Sequence, residues 1–215
     1  MTLRDSDILD SLTLTTPFPR SGLEVLDATD TAAARLLMTP TRNANSSGPA
    51  LRKAHEDIGR YLATTILSEK LGLDEYPIPH VQGIRTVGYR IHAEARTTII
   101  ALMPMFVHAK EPEDVAWHHL HGQSTVLLVD SVVNSGSSMV RFIQRIRRLH
   151  KRIRIVVVAG VVQRQSISPE SGSLHALAKS LGGFMVVTLR LSDNRFNGSG
   201  ITDTGNRLFN TTHLL

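Results

Sequence analysis

The chain has 215 residues, 41% of them hydrophobic, a formal net charge of +5 and no cysteine. That length suits one α/β domain with extensions or two small domains, and the apolar share is enough for a real core. Without cysteine there are no disulfides, thiolate metal sites or cysteine nucleophile, and a modest positive charge does not by itself imply nucleic acid.

No apolar run approaches the length of a membrane-spanning helix. The first 18 residues carry Asp5, Asp7 and Asp10 and no long apolar segment. No signal peptide is therefore expected, and a cytoplasmic protein is the expectation. Residues 1–41 are weakly patterned and read as a wrapping arm or a linker, with one domain over 42–215. Within the arm, 31–38 suits a short helix, while Pro17, Pro19 and Pro40 punctuate the rest. Asn45-Ser-Ser-Gly-Pro49 is a helix start, capped by Ser46, Ser47 or Gly48. Leu51, Ala54, Ile58, Tyr61, Leu62 and Ile66 then share one helical face, and Gly72 is the stop.

Residues 76–95, with Pro77, Pro79, Gly83 and Gly88, read as turns around one or two short strands, a hairpin being one arrangement. A buried strand follows at 97–103, then a second apolar run, Met105-Phe-Val-His-Ala109, with only Pro104 between them. Parallel neighbours need a crossover of roughly a dozen residues. Either the two runs form one strand broken at Pro104, or one of them lies outside the parallel sheet. Residues 110–122 are polar, with His118, His119 and His121. Their spacing is not a helical i, i+4 pair and no carboxylate accompanies them at a recognised interval, so a solvated loop is expected and no metal site.

The stretch Thr125-Val-Leu-Leu-Val-Asp130-Ser-Val-Val-Asn-Ser-Gly136-Ser-Ser138 organises the chain. Its apolar run suits a strand buried on both faces. Asp130 would stand at the carboxyl end, where ligands collect in an open parallel sheet. The loop around Gly136 leads into a helix N-terminus, whose free N–H groups and dipole favour phosphate. Met139, Phe142, Ile143, Ile146 and Leu149 form the apolar stripe of the next helix. Arg141, Arg145, Arg148 and Arg152 lie on another face and read as its solvent side. Strands at 153–162 and 184–191 flank a helix with Leu174, Leu177, Ala178 and Leu181 on one face, ended by Gly182-Gly183. The alternation predicts an α/β fold: a mostly parallel twisted sheet with helices on both faces. The tail, Gly198-Ser-Gly-Ile-Thr-Asp203-Thr-Gly-Asn-Arg207-Leu-Phe-Asn-Thr211, reads by itself as a loop.

The 125–138 stretch resembles the phosphoribosyl-diphosphate (PRPP) loop of type I phosphoribosyltransferases. Asp130 keeps the first of that family's two acids and Ser131 replaces the second, while Asn134-Ser-Gly-Ser-Ser138 stands for the loop. The tail resembles the ending of uracil phosphoribosyltransferases, "Pro-Gly-Leu-Gly-Asp-Ala-Gly-Asp-Arg-Leu/Ile-Phe-Gly-Thr". Ser199, Thr202 and Asn206 depart from it. Arg42-Asn-Ala-Asn-Ser-Ser47 with Ile58-Gly-Arg60 is similar to the start of the same enzymes. In that reading Arg42 contacts phosphate; otherwise Arg42 and Arg60 are solvated charges. The resemblance covers roughly 42–211. In the family, the strand matching 97–103 is followed by a pyrophosphate-gripping loop and a helix, which this chain lacks.

The resemblance implies a type I phosphoribosyltransferase-like fold, PRPP and uracil as substrates, UMP and pyrophosphate as products, and Mg²⁺ held mainly by substrate oxygens. It implies a homodimer, with no membrane or nucleic-acid partner. Asp130 would be catalytic. The amides of Val133, Asn134, Ser135, Gly136, Ser137 and Ser138 would hold the 5′-phosphate. Phe196, Gly200, Ile201, Thr202 and Asp203 would recognise uracil. A domain that binds PRPP or UMP without turnover, or acts in assembly, is the alternative.

Overall fold

The computed structural model describes residues 18–19, 21–102, 111–199 and 202–212. The chain opens with strand β1 (Leu23–Asp27) and helix α1 (Ala32–Arg42), which Thr31 caps by accepting from the Ala34 N–H at 3.0 Å. The expected arm boundary at 42 is corrected. β1 pairs in parallel with the last strand of the main sheet, and Ala34 and Met38 of α1 are buried in its core. Pro40 does not end α1, contrary to its reading as punctuation. It stands in the last turn, where a proline forfeits only one intrahelical bond, and the Thr39 and Thr41 hydroxyls bond back to the Arg35 and Met38 carbonyls.

A long helical stretch follows: α2 (Gly48–Tyr61), a π turn (Leu62–Leu67) and α3 (Ser68–Leu71). Gly72 ends it at φ 85°, as its sequence position implies. The buried positions run Leu51, Ala54, Ile58, Leu62, Leu67, Leu71. The step from Leu62 to Leu67 is five residues, and the wider π turn keeps both on one face. Ile66, expected on that stripe, is consequently only half-buried.

β2 (Leu73–Pro79) and β3 (Arg85–Ile91) form a separate antiparallel hairpin. β4 (Thr97–Ala101), β5 (Thr125–Val133), β6 (Arg154–Gln163) and β7 (Phe184–Ser192) join β1 in a five-stranded sheet of order β1-β7-β6-β5-β4. Every pairing in it is parallel. The doubtful crossover is settled in part: β4 pairs directly with β5, and residues 102–124 supply ample connection. The run Met105–Ala109 and Pro104 lie outside the described residues.

Helices cover both faces. On one, α4 (Ser137–Leu149) and α6 (Ser173–Leu181) pack on Val126, Leu128, Ile155, Val157, Phe184 and Val186. On the other, α1 and the α2–α3 stretch cover Leu127, Val156, Val158, Met185 and Val187. Successive strand residues thus enter opposite cores, which is why these runs are apolar throughout. Two arginines of the α4 stripe serve structure: Arg141 pairs with Glu111 at 2.7 Å, and Arg145 Nε donates to the Val115 carbonyl at 3.1 Å. A short helix, α5 (Arg164–Ile167), links β6 to α6. Among the described residues, no helix is long and apolar enough to cross a membrane.

Phe184 is fully buried at the start of β7. Phe184→Ala is expected to cost about 3–5 kcal/mol. A lower urea midpoint at unchanged slope checks it.

Candidate functional site

β5, β6 and β7 end on the same side of the sheet, and the chain leaves each through a polar turn. Asp130, expected at the carboxyl end of β5, stands inside the strand, which runs on to Val133, and it pairs with Ala159 of β6; its carboxylate accepts from the Ser131 N–H at 2.7 Å. Burial pushes its pKa above the ordinary 3.8, against the opposing pull of the Ser131 and Val132 amides. The next turn is set by Gly136, at φ 78°. A Cβ there would also meet Ser173 Oγ at 2.7 Å, so this glycine allows α6 to approach the loop. Ser173 Oγ donates to the Ser135 carbonyl at 2.6 Å and fixes that approach. The Ser135 and Ser137 hydroxyls lie 2.7 Å apart. Among the described residues, the backbone N–H groups of Ser135, Gly136, Ser138 and Met139 meet no acceptor.

The tail crosses in front of this loop. Asn134 Nδ2 donates to the Phe196 carbonyl at 2.8 Å, and the Phe196 N–H donates to Asn134 Oδ1 at 2.9 Å. Further on, Asp203 caps α7 (Thr204–Phe209), its carboxylate accepting from the Asn206 N–H at 2.9 Å. From α7, Arg207 donates to the carbonyls of Thr41, Asn43 and Ser46 at 3.0, 2.8 and 3.0 Å. Arg52 of α2 donates to the Leu208 carbonyl at 2.7 Å. The tail is therefore tied at one end to the β5 loop and at the other to the α1–α2 junction.

Between these ties lies a cleft of about 570 Å³. Its floor is made by Ser131 and Val132 of β5, Gly160 and Val161 of β6, and Arg190 of β7. Phe196 and Thr202 of the tail close one side, and His55 and Ile58 of α2 the other. Arg42, Arg195 and Arg207 also line it, and among the described residues no aspartate or glutamate does. His55 has its pKa lowered, first by burial and then by the Arg207 cation.

The expected site residues divide. Arg42, Asn134, Phe196 and Thr202 line the cleft. Asp130 stands one residue before lining Ser131, and Ser135, Gly136, Ser137 and Ser138 form the turn and first residues of α4 just past lining Asn134. The Val133 side chain belongs to the core, 3% exposed, so only its backbone remains for a ligand. Asp203 is engaged as a helix cap. Gly200 and Ile201 lie outside the described residues. Sequence reasoning missed His55, Arg190 and Arg195. Arg190 left a signal, an arginine interrupting an apolar strand; His55 left none, since a histidine inside an amphipathic helix is unremarkable.

A family model described as uracil phosphoribosyltransferase matches residues 28–104 and 107–211. The chain belongs to the uracil phosphoribosyltransferase family. No individual curated protein matches it. For this family member the match is interrupted directly after Pro104, at residues 105–106, between the two apolar runs. The match begins before residue 42, in agreement with the place of α1 in the core.

The raised pKa of Asp130 fixes the sign of a pH effect. The fold disfavours the ionised form, so stability is greatest with the carboxyl protonated and falls as pH rises through the folded value. Asp130→Asn keeps an acceptor for the Ser131 N–H and removes the charge. It is expected to melt higher than wild type at pH 7, with the gap closing on acidification towards 3.8. Thermal melts of both proteins across that range check it.

Proposed function

We propose that this family member transfers phosphoribosyl from PRPP to uracil, giving UMP and pyrophosphate. The carrying observation is the paired hydrogen bonding of Asn134 to Phe196. It joins the loop after β5 to the tail around one cleft, so a ligand spanning both would have its phosphate at one end and its base at the other.

In this reading the phosphate end is the set of open amides at Ser135, Gly136, Ser138 and Met139, at the N-terminus of α4. Ser137 adds a hydroxyl. At the base end Phe196, which lines the cleft, offers its ring face to a planar pyrimidine. Thr202 holds the tail in shape: its hydroxyl donates to the Asn197 and Ser199 carbonyls, both at 2.9 Å. Backbone groups of this tail then read the amide edge of uracil. The reaction has oxocarbenium character at the anomeric carbon, so position and field matter more than a strong nucleophile. Asp130 supplies negative charge beside that carbon, and Ser131, which lines the floor, supplies a hydroxyl to the ribose. A carboxylate kept at a cost to stability is the kind of group that active sites retain. Among the described residues the lining offers no carboxylate to hold Mg²⁺, so the arginines are left to neutralise the diphosphate.

Ser131 in place of a second acid favours a second reading: binding of PRPP or UMP without turnover. Radiolabelled uracil with PRPP separates the two. Formation of UMP is expected; binding of UMP by calorimetry with no turnover would establish the second reading instead. Asp130→Asn is expected to lower kcat by about 10²–10³-fold, the usual weight of one electrostatic contact to a transition state. Asn134→Ala, which frees the tail, is expected to raise KM for uracil by about tenfold while leaving the melting temperature within a few degrees.

A further inference from the structure

The charge in the cleft is one-sided. Arg42, Arg190, Arg195 and Arg207 line it, with no acid among the described lining residues. None of the four has a carboxylate partner among the described residues, whereas Arg60, Arg141 and Arg164 elsewhere each pair with one. Like charges gathered in one concavity repel, so the arrangement is stabilised by an anion that comes from outside. The cations converge from separate elements: Arg42 ends α1, half-buried Arg190 stands near the carboxyl end of β7, and Arg195 lies exposed in the tail. Arg207 is held by three backbone carbonyls. Its Nε is closed to solvent and has no acceptor among the described residues. His55 is biased towards neutrality beside it. The positive charge is thus guanidinium charge, which persists at any physiological pH.

These donors do not suit a divalent cation. Mg²⁺ takes oxygen ligands in near-octahedral order and is held through carboxylates and substrate phosphates. The acids next in sequence to lining residues are all engaged: Glu56 with Arg60, Asp57 with Lys53, Asp193 with Arg164, Asp130 on the Ser131 amide and Asp203 on the Asn206 amide. A dication on the diphosphate would compete with the guanidinium groups for the same oxygens and be repelled by them.

We propose that the cleft takes the diphosphate of its phosphoribosyl ligand as the metal-free anion, gripped by Arg190 and Arg195, and that Mg²⁺ weakens this binding. The proposal rests on the phosphoribosyltransferase reading above. Arginine forks match phosphate oxygens two at a time, so the grip is directional as well as electrostatic.

Calorimetry of the full chain with inorganic pyrophosphate, in EDTA and in excess Mg²⁺, tests it. Binding is expected in EDTA and is expected to weaken in Mg²⁺. Arg190→Gln and Arg195→Gln are each expected to lose about tenfold in affinity, the weight of one charge-assisted hydrogen bond. Arg195 is exposed with no side-chain partner among the described residues, so its variant keeps the fold even if the Arg190 variant does not. Arg152→Gln, on the exposed turn after α4, is the control and is expected to bind as wild type does. Binding that requires Mg²⁺, no binding in either buffer, or wild-type affinity in Arg195→Gln would overturn the proposal. Uracil turnover is read separately. Pyrophosphate binding in EDTA without turnover sinks the uracil reading and leaves the cleft assignment standing. Turnover together with Mg²⁺-dependent pyrophosphate binding does the reverse.

Discussion

The carboxamide of Asn134 occupies both hydrogen-bonding groups of Phe196, donating to its carbonyl and accepting from its N–H. This is how one strand pairs with another, carried out by a side chain, and it sets the tail at a fixed height over the ends of β5 and β6. Arg207 does the same at the far end, through three carbonyls that close the α1–α2 junction. The cleft exists because of these two ties. Without them the ends of a parallel sheet would form an open ledge, and a ledge neither excludes water nor holds a planar base in one orientation.

The core and the cleft obey opposite rules. In the core, strand residues alternate between two apolar layers and almost nothing polar is buried. Around the cleft stand a half-buried carboxylate with a raised pKa, a histidine of α2 with a lowered one, and arginines without a carboxylate partner among the described residues. Each is a local cost. Such costs persist where the surrounding packing can bear them and where a ligand relieves them. Here the five-stranded sheet bears them, and the guanidinium charge among them is of the sign that an anion relieves.

Much of this was legible in the sequence. Long apolar strands, the Gly72 stop and the loop around Gly136 carry their signals locally, in periodicity and in backbone freedom. What was missed depends on contacts between distant residues. β1 reads as an arm because its five residues gain meaning only beside β7. The π turn cannot be seen in a 3.6-residue template, which put Ile66 where Leu67 is buried. Pro40 looked like a stop because the threonine hydroxyls that steady its turn are not part of any proline rule. His55, Arg190 and Arg195 come together only when α2, β7 and the tail are placed. The charge of the cleft is a property of the fold, not of any segment.

The interruption of the family match after Pro104 fits the same picture. A parallel pair fixes the spacing of its strands but asks of the connection only that it be long enough, so β4 and β5 keep their ladder across residues 102–124 whatever those residues do. The register of the sheet is therefore indifferent to a shortened connection beyond β4. The cleft draws its lining from elsewhere in the fold. No described residue of β4 lines it; the lining comes from β5, β6, β7, α1, α2 and the tail. Two of its cations, Arg190 and Arg195, enter from β7 and the segment after it, beyond β6 as seen from β4. An anion held by Arg190 and Arg195, as proposed, would lie towards the β7 side. A parallel sheet permits such a displacement because neighbouring strand ends present equivalent geometry, and only side-chain charge decides which of them a phosphate prefers.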